Sequence, residues 1–101
     1  MEDFSATTPP DDFPAPLRAL WWLRKGGLRM GPEWEEAHAI CQTAEGTPAY
    51  DRVHALAHWI EGDRFNSDYW YRRSGTERVS EDPAHEWAAQ VADLEGNRGV
   101  T

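Results

Sequence analysis

DRVHALAHWIEGDRFNSDYWYRRSG, residues 51–75, reads as two short helices meeting at Glu61-Gly62-Asp63. In the first, Val53, Leu56, Ala57 and Ile60 recur at steps of three and four, the spacing of one helix face. His54, His58 and Glu61 keep the same step and form a polar stripe beside that face. Gly62 ends the helix and Asp63 is placed to cap its successor. There Phe65, Tyr69 and Arg72 share a face, and Gly75 closes the segment.

The same punctuation extends outward in both directions. Pro16, Pro32 and Pro48 each stand where the fixed φ of proline suits a first helical turn, and Asp82-Pro83 repeats the signal. Thr47 is expected to cap the helix that Pro48 opens. Leu17, Leu20, Trp21 and Leu23 make one apolar stripe before Gly26-Gly27, and Trp34, Ala37, Cys41 and Ala44 make a second. A last stripe runs through Ala84, Trp87, Ala88, Val91 and Leu94. No segment alternates as a β-strand does. The expectation is an all-α chain of about five helices, two antiparallel hairpins and a C-terminal closing helix. Residues 1–15 combine Pro9, Pro10 and Pro14 with Glu2, Asp3, Asp11 and Asp12, and read as a disordered acidic arm in which Phe4 or Phe13 touches the body. Residues 16–95 then form a single helical domain, and 96–101 a frayed tail.

Composition narrows the function classes. The 101 residues carry a formal charge of −8, and no basic cluster is longer than the pairs Arg24-Lys25 and Arg72-Arg73. Gripping a phosphate backbone needs clustered Lys and Arg, so no nucleic-acid partner is expected. The start of the chain lacks a basic stretch leading into an apolar run, and no segment approaches the length of a membrane span. Cys41 is the only cysteine, which excludes an intrachain disulfide. A soluble protein of the cytoplasm is the expectation. Six tryptophans supply the bulk of a small core, since each can bury about 150–250 Å².

Two resemblances follow from these residues. Gly62, Ser67, Tyr71 and Ser74 keep the glycine–small–bulky–small rhythm of a paired-helix repeat, and this resembles the second half of a tetratricopeptide repeat. Ser stands twice where alanine is usual, and the tryptophan and leucine-glycine of the first half are missing. The core Val53-His54-Ala55, His58, Glu61-Gly62-Asp63, Asn66 and Tyr69-Trp70-Tyr71-Arg72-Arg73, with Trp34 and Ala37-His38 before it, is similar to a group of short, mostly bacterial helical proteins of uncharacterised activity. That second resemblance covers roughly residues 17–75 and implies a small helical fold, without an activity.

Three of the four histidines bear on chemistry. His54-x3-His58 lets two imidazoles reach one metal from a single helix, with Glu61, Cys41 or His38 as third ligand. Glu35-x2-His38 has the form found in helical di-iron bundles, but the other carboxylates those sites need are lacking. Alternatively His38, His54, His58 and Tyr69 with Trp34 and Trp70 line a polar-aromatic pocket. No nucleophile motif, phosphate loop or histidine-orienting triad is present, so the residues favour a binding module over an enzyme. The reading is a non-catalytic module that takes a protein segment or small molecule in a groove beside the third helix. Its expected contacts are Trp34, His38, His54, His58, Glu61, Tyr69 and Arg72, with no cofactor. The alternative is a small metal-binding protein, for zinc or another divalent ion, or an acid–base enzyme, using His54, His58 and Glu61. Trp22 or Trp87, if exposed, would offer a homodimer surface.

Overall fold

Proline marks the start of four of the five helices. The computed structural model describes Met1 and residues 3–98, with α1 Ala15–Lys25, α2 Pro32–Gln42, α3 Pro48–Ile60, α4 Arg64–Ser74 and α5 Pro83–Arg98. Pro16, Pro32 and Pro48 occupy the first turn of α1, α2 and α3, where a missing N–H costs nothing. α4 starts differently: Asp63 accepts a bond from the Asn66 N–H at 3.0 Å, and Gly75 closes the helix in the left-handed conformation (φ 74°). Among the described residues there is no strand, and no helix is long and apolar enough to cross a membrane. The protein is all-α.

Successive helices pair, α1 with α2 and α3 with α4, and α5 lies against α3 and α1. The core comprises Leu17, Leu20 and Leu23 of α1, Trp34 and Ala37 of α2, and Val53, Leu56 and Ala57 of α3. Buried tryptophans need a partner for the indole N–H. Trp34 finds the Ala57 carbonyl at 2.8 Å, and Trp87 the Leu20 carbonyl at 2.7 Å. These bonds tie α2 to α3 and α5 to α1.

α4 turns inward on its serines. Ser67 and Ser74 are buried with Trp70 and Tyr71, and the Ser67 hydroxyl donates to the Ala55 carbonyl of α3 at 2.8 Å. A small side chain there lets the two backbones approach. The face shared by Phe65, Tyr69 and Arg72 is therefore the solvent face, with Phe65 79% and Tyr69 40% exposed.

Several expectations need adjustment. Thr47 sits at the N-cap position of α3, but its side chain makes no capping bond. α5 continues through Gly96 to Arg98, while residues 99–101 of the expected frayed tail lie outside the described residues. Up to Pro14 the described residues of the acidic arm have no helix or strand, yet they lie along α1, which Ala15 begins. The Asp3 carbonyl accepts from the Trp21 indole at 3.1 Å, and Lys25 Nζ donates to the Phe4 and Ala6 carbonyls. The Phe4 ring stands within about 6 Å of both Trp21 and Trp87. Trp22 and Trp87 are both half-buried against the core, which removes the premise of a dimer surface built on an exposed indole.

Candidate functional site

Three histidines converge where α2, α3 and α4 meet. His54 and His58 stand one helical turn apart on α3, and their rings stack with centroids 4.8 Å apart. His38 arrives from α2, its Nε2 3.1 Å from His54 Nε2. One available nitrogen from each of the three lies within 4.8 Å of the others. The walls are aromatic. Trp34 stacks on His38 at 4.7 Å, and Trp70 of α4 stacks on His54 at 4.0 Å.

Local rules explain the arrangement. His54 lies on the buried side of α3, between Val53 and Ala55, and is 2% exposed. Trp34 and His38 are four apart on α2, so both rings reach the same side of the α2–α3 interface. Glu61, the C-cap residue of α3, folds back and accepts a short hydrogen bond from His58 Nδ1. A carboxylate can only accept, so Nδ1 carries the proton and the lone pair of His58 belongs to Nε2.

Burial favours the neutral form of His54 and His38. His54 is held down to about 3, chiefly by desolvation and then by repulsion from His58, His38 and Arg73. His38 is lowered for the same first reason, with His58 adding to it and the neighbouring carboxylates opposing. Neutral rings present lone pairs, which cation ligation requires. His54 Nδ1 is buried and has no hydrogen-bond partner among the described residues. Burying an unpaired polar atom is costly, so the site sacrifices some stability to keep this ring in place.

The remaining expected residues distribute unevenly. Trp34 forms a wall, and Glu61 sits at the rim with Asp63, whose carboxylate lies near His58 and Glu61. Tyr69 stands at the outer edge, its ring edge-on to Trp70. Arg72 does not join them. It lines a different cleft, bounded by the α4–α5 loop. Its neighbour Arg73, which the sequence did not single out as a contact, lies over the Trp70 ring at 4.8 Å and donates to the Tyr69 hydroxyl at 3.1 Å. Cys41 is buried on the apolar stripe, and burial, reinforced by Asp51, pushes its thiol up to about 12. It is a core side chain that stays protonated, outside the histidine group. Glu35 is exposed and also outside it.

Comparison with known proteins adds no relative: no protein-family model, no curated protein and no solved structure matches the chain.

Proposed function

We propose that this protein binds a divalent transition-metal ion of the zinc class on His38, His54 and His58. The observation that carries the reading is the convergence of three imidazoles, two of them with facing Nε2 atoms 3.1 Å apart. Zinc–nitrogen bonds of about 2.0–2.1 Å in a tetrahedron put neighbouring ligand nitrogens about 3.3 Å apart. The His38–His54 spacing is close to that already, and a rotamer adjustment of His58 completes the set. Glu61 bonded to His58 Nδ1 is the kind of carboxylate partner that fixes the tautomer of a ligating histidine. Three protein nitrogens leave a fourth position for water or another small ligand.

A second reading, a protein segment or small molecule held over this cluster, draws on exposed Tyr69 and on Arg73 at its outer edge. The tetratricopeptide-like reading of the helix pairs is supported by buried Ser67, Tyr71 and Ser74 and by the turn at Gly62. We place the protein in a reducing compartment such as the cytoplasm, in keeping with a lone, buried thiol.

Cobalt substitution tests the metal reading. Untagged protein stripped with a chelator and titrated with Co²⁺ is expected to develop visible d–d absorption that saturates at one ion per chain and is displaced by Zn²⁺. His38→Gln is expected to abolish it while far-ultraviolet circular dichroism stays unchanged. Absence of a saturable spectrum in the wild-type protein contradicts the reading.

A further inference from the structure

The cleft to which Arg72 belongs lies on another part of the molecule. Residues from α3, α4, the α4–α5 loop and α5 enclose an open space of about 680 Å³. Arg52, Arg72 and Arg78 line it against only two carboxylates, Glu77 and Asp93. In a chain of net charge −8, a cleft lined by three guanidinium groups departs from the average surface.

The arginines are not equivalent. Arg78 is fixed between the rings of Trp59 and Tyr71, its guanidinium carbon 4.8 Å and 4.6 Å from their centroids. It is also paired with Asp68 at 2.6 Å and donates to the Ser67 hydroxyl. Arg52 is paired with Asp93 at 2.6 Å. Arg72 is exposed and forms no ion pair with any described residue, so its charge is available to a ligand. Beside this basic mouth, sharing Arg52, Thr76 and Asp93 with it, opens a slot of about 180 Å³ walled by Pro48, Ala49, Val53 and Leu94, with the Gln90 amide as a further polar lining group. A guanidinium mouth leading into an apolar slot fits an anion that carries a short hydrocarbon group.

From this juxtaposition we infer that the cleft binds a small monocarboxylic acid with a short branched apolar tail, its carboxylate on Arg72 and Arg52 and its tail in the slot beside Leu94. The charge balance selects among anions. With Arg78 held by Asp68 and Arg52 by Asp93, Arg72 is left as the uncommitted cation of the cleft among the described residues, which suits a single negative charge, whereas a phosphate dianion would meet Glu77 and Asp93 with excess repulsion. This site is independent of the histidine cluster and of any metal there.

The test is a titration of ¹⁵N-labelled full-length protein, kept in chelator, with 4-methylpentanoate. Saturable shifts of the Gly75, Thr76 and Val79 amides are expected. The neutral isostere 4-methylpentanamide should move them little, and inorganic phosphate should bind more weakly than the acid. Arg72→Gln, a change at an exposed position, is expected to weaken binding about tenfold, the value of one charge-assisted contact. Four results would overturn the inference: no saturable shift at tens of millimolar acid, equal binding of the amide, tighter binding of phosphate, or binding confined to a peptide ending in leucine.

Discussion

Lowering the pH of metal-free protein from 7.5 to 5.5 should cost about 1.4 kcal/mol of folding stability through His54 alone. In the unfolded chain this histidine titrates near its ordinary value of about 6.5. In the fold it is held down to about 3 by burial, with His38 of α2, His58 of its own helix and Arg73 of α4 as its charged or titratable neighbours. Its contribution is therefore fully present above about pH 6.5 and is lost as the pH falls toward the folded value, because only the unfolded chain takes up the proton. At pH 5.5 the unfolded state gains RT ln(1 + 10), about 1.4 kcal/mol, or tenfold in the folding equilibrium. His38, also lowered, adds a loss of the same sign. Asp63 and Asp68, lowered by hydrogen bonds from Asn66 and Arg78, lose their contributions only at more acid pH and stay out of this window. Urea denaturation followed by tryptophan fluorescence reads the effect. With a slope of about 1 kcal/mol/M for a domain of this size, the midpoint should fall by at least about 1 M. His54→Gln should remove most of that fall. A midpoint that does not move between pH 7.5 and 5.5, or a variant that retains the whole loss, would refute the reasoning.

Two further outcomes follow from the packing. Tyr71→Phe removes the hydroxyl that donates to buried Glu86 Oε2 at 2.8 Å, leaving that carboxylate with the Val79 N–H and the Gln90 amide, so a loss of about 1–2 kcal/mol is expected in the same urea assay. Cys41, 1% exposed and with its thiol pushed up to about 12, should resist a thiol reagent at pH 8 in native protein and react promptly once urea unfolds it; prompt reaction in the native state would contradict its placement in the core.

Helix starts and stops were legible because each had a local cause. Proline at 16, 32, 48 and 83, the Asp63 cap and the glycines at 26, 62 and 75 act within a residue or two of where they stand. The choice of buried face was harder. On α4 the spacing put Phe65, Tyr69 and Arg72 on one face without saying which way it pointed; close approach to α3 selected the small Ser67 and Ser74 of the repeat rhythm, and the aromatic pair turned outward. Adjacent residues on a helix point about 100° apart, so that rotation also sent Arg72 to the α4–α5 cleft and Arg73 to Trp70. Glu86 and Gln90 carried no apolar signal and lie fully buried, because Tyr71 supplies a hydrogen-bonding partner from another helix. The histidine row of α3 was visible as a spacing, whereas the contribution of His38 depended on how α2 docks, which periodicity does not encode.

The most direct measurement is an equilibrium titration of chelator-stripped, untagged protein with Zn²⁺ against a chelating dye, for the wild type and for His38→Gln. The convergence of His38, His54 and His58 calls for one ion per chain with micromolar or tighter affinity in the wild type and a loss of at least tenfold in the variant. Zinc that stays with the dye in both proteins, or that binds both equally, would contradict a metal centre built on these three rings.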